Sequence, residues 1–141
     1  MDILKQYAMS FVGKPYRWGG NNPITSFDCS GLVNELLDSV GLKPKGDYTA
    51  QMLFNYFDPI SERNSYKIGA LAFYGESVTK INHVAFLLDN YRILEAGGGS
   101  SSTITVDDAA KQNAFIRIRL INRRKDLVAV IRPRYSTIGV I

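Results

Sequence analysis

Cys29 and His83 are the single cysteine and the single histidine of this 141-residue chain, so any thiol–imidazole chemistry it performs rests on that one pair. The run Asp28-Cys29-Ser30-Gly31-Leu32-Val33 opens a helical pattern, with Asp28 of a good N-cap type and Cys29 in the first turn. A thiol there meets unsatisfied backbone N–H groups and the positive end of the helix dipole, both of which favour thiolate over thiol. Cys29 is therefore a candidate nucleophile. The same spacing puts it on an apolar stripe with Leu32 and Val33, where a cysteine serves equally well as a small buried hydrophobe.

A base must lie within reach of such a nucleophile and be oriented by a third group. His83 opens the apolar run Val84-Ala85-Phe86-Leu87-Leu88, on the strand face shared with Ala85 and Leu87, and a histidine so placed is either that base or a structural residue. If 83–88 and 91–95 pair through a turn at Asp89-Asn90, Glu95 falls within a residue or two of the register of His83. Glu95 is then the third group, or else a solvated strand residue. No two acids are set apart as a glycosidase pair requires.

The elements that must position these residues follow from periodicity. Ile3, Leu4, Tyr7, Ala8, Phe11 and Val12 predict a helix over 2–12, stopped by Gly13 and Pro15. The stretch 16–23 reads as an irregular loop rich in aromatics and glycine. A second helix is expected from Asp28 to Gly41 and a third from Thr49 to Phe57, with a polar connection over 61–67. From residue 68 the pattern changes to β-branched and aromatic runs, predicting strands at 68–74, 83–88, 91–95, 102–106, 115–121 and 127–132. Gly97 to Ser102 reads as a flexible loop and Asp107 to Asn113 as a short helix. The expectation is one α+β domain over 1–141, its early helices packed on one face of a mainly antiparallel sheet of five to six strands.

Composition narrows the function classes. A hydrophobic share of 45% with 21% charged residues excludes a disordered or fibrous chain, and one Cys with one His excludes an intramolecular disulfide or a Cys/His zinc cluster. No metal and no cofactor is expected. The net charge of +4 gathers late, at Arg117, Arg119, Arg123, Arg124, Lys125, Arg132 and Arg134, and reads as a solvated face; no nucleic-acid motif accompanies it. The first nine residues lack the basic start and apolar run of a signal peptide, and no stretch has the length and apolarity of a membrane span.

The segments Gly13-Lys14-Pro15-Tyr16-Arg17-Trp18-Gly19-Gly20 and Asp28-Cys29-Ser30-Gly31-Leu32-Val33, followed by Lys67-Ile68-Gly69-Ala70-Leu71 and His83-Val84-Ala85, resemble the NlpC family of cell-wall cysteine peptidases. The resemblance runs from about residue 2 to Pro133. It implies a trimmed papain-like fold and hydrolysis within the stem peptide of peptidoglycan, commonly at the bond between the side-chain carboxyl of D-glutamate and the next diamino acid. Carried over by position, Cys29 matches the nucleophile, His83 the base and Tyr16 a tyrosine beside the thiol, while Asp28 and Ser30 match residues that help hold the free amine of the substrate. For Tyr16 the alternative is a core aromatic, and for Asp28 a plain helix cap; Trp18 is expected to pack the loop.

Two positions depart from that pattern. The third catalytic place, usually His, Asn or Gln, holds Glu95, and Ala70 stands where an Asp is usual. A carboxylate at the third place favours imidazolium and so a thiolate–imidazolium pair. The competing accounts are a muramoyl amidase or acyltransferase using the same two residues on another bond, and a wall-binding or virion module without activity. Product masses separate the first, since an amidase frees whole peptides from sugar; thiol reactivity separates the second. The implied setting is a chain that is cytoplasmic as made, or a phage-associated lysin acting on the wall.

Overall fold

The computed structural model describes residues 1–19, 21–22, 26–99 and 102–135; Gly20, Pro23 and part of the expected Gly97–Ser102 loop lie outside them. Helix α1 spans Asp2–Met9 and buries Leu4 and Ala8. It ends three residues before the predicted stop: the hydroxyl of Ser10 donates back to the carbonyl of Tyr7, and Phe11 enters the core from the following turn. Gly13, at φ +91, then turns the chain. The next residues run along a strand edge, with Gly13 N–H donating to Ile116, Ile116 N–H to Lys14 and Tyr16 N–H to Ala114. The segment read as irregular is thus tied down where Tyr16 sits. Two short strands follow, β1 (Asn21–Asn22) and β2 (Ser26–Phe27), paired antiparallel.

Helix α2 (Cys29–Ser39) buries Leu32, Val33, Leu36 and Leu37, the stripe that the spacing predicts. Helix α3 (Ala50–Phe57) is capped by the Thr49 hydroxyl, which accepts from Met52 N–H, and a single 3₁₀ turn (Asp58–Ile60) closes it. Between the helices, Asn34 is buried with its amide donating to the carbonyls of Ser30 and Tyr48 and its oxygen accepting from Tyr48 N–H. This polar clamp joins α2 to the chain entering α3.

The sheet has six antiparallel strands in the order β3-β8-β4-β5-β6-β7, formed by β3 (Glu62–Arg63), β4 (Leu71–Ser77), β5 (Lys80–Leu87), β6 (Arg92–Gly97), β7 (Phe115–Leu120) and β8 (Leu127–Arg132). The α+β expectation and the strand number hold. Within it, 102–106 is not a strand. Thr105 and Asp108 form a capping box that starts helix α4 (Val106–Gln112), so the threonine satisfies helix donors instead of a sheet ladder. In the expected polar connection, Glu62 and Arg63 pair with Arg132 and Ile131. The β4–β5 hairpin carries a register shift at Tyr74/Gly75, where a Cβ on Gly75 would strike the backbone of Lys80 and Ile81.

The helices cover one face of the sheet, with Leu71, Phe73, Val84, Phe86, Leu94 and Ile131 in that core. The other face holds its own smaller cluster of Ala70, Ala72, Tyr74, Ala85, Leu87, Ile93, Ile121 and Val130. Ala70, the departure from the family pattern, is fully buried there. No helix among the described residues is long and apolar enough to cross a membrane.

Candidate active site

The ladder between β5 and β6 is short, pairing Phe86 with Leu94 and Leu87 with Ile93. Toward His83 the two strands carry no further ladder pairs, and α2 packs against both of them. The first turn of α2 meets this open stretch. A pocket there is lined by Tyr16, Cys29, His83, Glu95 and the glycines 97–99, with Trp18, Asn82, Arg123 and Arg124 among its remaining walls. Residues far apart in the chain thus come together where the first turn of α2 packs over the end of the β5–β6 ladder.

Asp28 caps α2 in extended conformation, its Oδ1 accepting from Gly31 N–H at 2.7 Å and its Oδ2 from Gly19 N–H at 3.0 Å. Ser30 Oγ also donates to Oδ1, at 3.3 Å. One carboxylate therefore holds both the helix and the glycine loop before it. Burial raises its pKa, helped by the charge of Asp47 and opposed by the two N–H donors. Asp28 and Ser30 flank Cys29 without lining the pocket. Cys29 is half-buried, on the pocket side of the first turn.

His83 and Glu95 are both buried, at 7% and 4% exposure, and Nε2 of the ring stands 3.4 Å from Oε2 of the carboxylate. That separation is an ion-pair contact, longer than a good hydrogen bond, and Nε2 has no hydrogen-bond partner of normal geometry among the described residues. With Nε2 turned to Glu95, Nδ1 is the nitrogen left for the sulfur. Burial pulls the His83 pKa down, but close contact with Cys29 and Glu95 and the charge of these partners outweigh it and raise it from 6.5 to about 9. Glu95 is held below its ordinary value: burial pushes its pKa up, and His83, Arg119 and Arg123 more than reverse this. Tyr74, on the neighbouring strand, packs its ring 5.5 Å from the imidazole and donates its hydroxyl to the Ile121 carbonyl at 2.8 Å.

Tyr16 is 6% exposed, and burial, then the charges of Cys29 and Asp28, push its phenol pKa up, so the phenol keeps its proton as a donor. Gly99 lies flat on its ring, where any Cβ would collide with it. The backbone N–H of Trp18 donates to the carbonyl of Thr103 at 2.7 Å and ties the loop down, but the side chain expected to pack it is 56% exposed at the pocket wall. Beyond the residues singled out from sequence, the pocket includes Asn82, the glycines 97–99, Arg123 and Arg124. The glycine run was a visible signal of close backbone approach; the arginines were indistinguishable from a solvated face. Among the described residues no group of three His, Cys, Asp or Glu is placed to hold a metal ion.

Residues 13–120 match the pattern of the NlpC/P60 family. The chain is 37% identical over 97 residues to the "Bifunctional muramidase/DL-endopeptidase CwlT" of Bacillus subtilis, covering 67% of this chain and 28% of that protein. It is 36% identical over 97 residues to the "Murein DD-endopeptidase MepH" of Escherichia coli, covering 67% and 35%. This chain thus matches about a third or less of these relatives' length. Its fold superposes on the peptidoglycan hydrolase RipB of Mycobacterium tuberculosis with a TM-score of 0.65 and 25% identity, covering 92% of this chain and 62% of that one. With more than half of its length matched by the family pattern, and the papain-like arrangement of helices on sheet in common, the chain belongs to the NlpC/P60 family.

Proposed function

We propose that this protein is a cysteine endopeptidase that hydrolyses an amide within the peptidoglycan stem peptide, at the bond between the D-glutamate side-chain carboxyl and the following diamino acid. The observation that carries the reading is the shared pocket of Cys29, His83 and Glu95, with the imidazole pKa raised to about 9 by its two partners. At neutral pH the imidazole then carries a proton for the leaving amine; in the proposed reactive state the neighbouring sulfur is the thiolate nucleophile.

The Cys29 sulfur attacks the scissile carbonyl and forms a tetrahedral oxyanion. The backbone N–H of Cys29, one of the first-turn donors without an intrahelical partner, faces that oxygen, with the Tyr16 hydroxyl as a second donor. Collapse breaks the C–N bond as His83 gives its proton to the leaving amine, yielding a thioester. Water then adds to the thioester, losing a proton to His83, and collapse breaks the C–S bond, releasing the acid and restoring the thiolate beside the protonated imidazole. Glu95 fixes the ring and stabilises its charged form throughout. Asp28 and Ser30 act first as the frame of the nucleophile; after three donors the Asp28 carboxylate keeps a lone pair for a substrate amine, as the resemblance implies.

Mass spectrometry of purified peptidoglycan after digestion tests the reading. Wild type is expected to release stems cut inside the peptide, and Cys29→Ala to release none. Whole peptides freed from sugar would instead identify an amidase, and an inactive wild type would overturn hydrolysis altogether.

A further inference from the structure

The pocket contains two arginines that the proposed chemistry leaves unused, and they differ in one respect. Arg124 is compensated: its guanidinium pairs with Asp126 at 2.6 Å, donates to Asn82 Oδ1 at 3.1 Å and lies over the Tyr74 ring. Arg123 is exposed and makes no side-chain hydrogen bond or ion pair with a described residue. The charges that act with it are those of Glu95, already facing His83, and Arg119, of the same sign. An uncompensated cation at a pocket wall favours an anionic group in the space before it. Arg123 also lies beyond residues 13–120, so the family pattern assigns it nothing.

The direction in which it faces the substrate follows from the chemistry. His83 must deliver its proton to the leaving nitrogen, so the leaving residue lies on the His83 side. Asn82 adjoins His83 in the chain and is hydrogen-bonded to Arg124, which places the turn carrying Arg123 on that side. Tyr16 and Gly99, packed together, form a separate wall. Resting on the endopeptidase reading, we propose that Arg123 binds a free carboxylate carried by the leaving amino acid, and so selects stem peptides bearing that carboxylate over those with a carboxamide or an amine there. The anchoring of the turn by Tyr74 and Asp126 holds the guanidinium where it can do so.

The test uses two synthetic stem peptides that differ only in a side-chain carboxylate or carboxamide on the leaving residue. Binding is read from the fluorescence of Trp18, the only tryptophan and a pocket residue, in a Cys29→Ala background that cannot turn the peptides over. The carboxylate peptide is expected to bind about tenfold more tightly, a charge-assisted contact reduced by solvent at an exposed site. Arg123→Gln is expected to erase the difference, and Arg123→Lys to restore part of it. Equal affinities in the Cys29→Ala protein, or a preference that survives Arg123→Gln, would overturn the assignment. Turnover by the protein with Cys29 intact is scored separately: selective binding without cleavage would sink the endopeptidase reading and leave the carboxylate site standing.

Discussion

Replacing Glu95 by glutamine removes one charge and little volume beside His83. The carboxylate stands 3.4 Å from Nε2 with both side chains buried, so its field on the imidazole is weakly screened. Burial alone would lower the imidazole pKa; Cys29 and Glu95 carry it instead from 6.5 to about 9. At about 1.4 kcal/mol per pH unit, that rise corresponds to roughly 3 kcal/mol of preference for the imidazolium, net of desolvation. If the two partners contribute comparably, Glu95→Gln lowers the pKa by about one pH unit or more, and the alkaline limb of kcat/KM moves down with it. Because His83 is the only histidine, its ring Hε1 gives a single resolvable NMR signal to titrate, and repeating the titration in Cys29→Ala separates the two contributions of a coupled pair. The stability consequence has a definite sign. A raised histidine pKa adds stability that is whole below 6.5 and lost as pH rises through about 9. The lowered pKa of Glu95 adds stability present above the ordinary carboxylate value and lost as pH falls through the depressed one. The unfolding free energy of Glu95→Gln should therefore fall furthest below wild type in the mildly acid to neutral range, with the gap closing toward pH 9 and at low pH. An imidazole titration that does not move in a folded Glu95→Gln protein would refute the coupling.

Two further changes probe the frame of the site. Asp28→Ala removes the cap of α2 and the acceptor for Gly19 together, and is expected to cost about 1 kcal/mol or somewhat more in urea unfolding; a loss no larger than that of an exposed control would show that the cap is redundant. Tyr74→Phe leaves the Ile121 carbonyl without its buried donor, costing about 1–2 kcal/mol, and loosens the turn that bears Arg123 and Arg124. Thermal denaturation checks the first effect, and the carboxylate preference of the pocket checks the second.

Much of this was legible in the sequence because local signals agreed with global ones. The α2 stripe and the Asp28 cap specify the same helix, and the same residues that set its start put Cys29 at the N-terminus. The nearness of Glu95 to His83 was legible to within a residue or two from a hairpin after residue 88, but the register was not: Leu88 N–H donates to Arg92, so the loop spans 89–91 and not Asp89-Asn90 alone. What could not be read were features decided by tertiary partners. Residues 102–106 have strand-like composition, but Thr105 finds Asp108 and becomes a cap. Glu62 and Arg63 pair as a strand because the edge of β8 is free to receive them. The division of labour between Arg123 and Arg124 depends on Asp126 and Asn82, and nothing in a basic run says which member is neutralised.

The short β5–β6 ladder explains why the site is where it is. In an antiparallel sheet, full pairing would have closed β6 against β5 and left no opening for a helix end. The fold keeps β5 held on its other side by β4, from Leu71↔Phe86 to Tyr74↔His83, so the strand bearing the base stays ordered without β6 beside it. Beyond Leu94, the β6 chain is held by β7 instead, with Glu95 opposite Arg117 and Gly97 opposite Phe115. Around the site each strand is thus held by a neighbour on its outer side, the ladder between the two is missing, and α2 packs against both. His83 and Glu95 meet there at 3.4 Å on strands held by β4 and β7, and the first turn of α2 brings Cys29 to the same pocket.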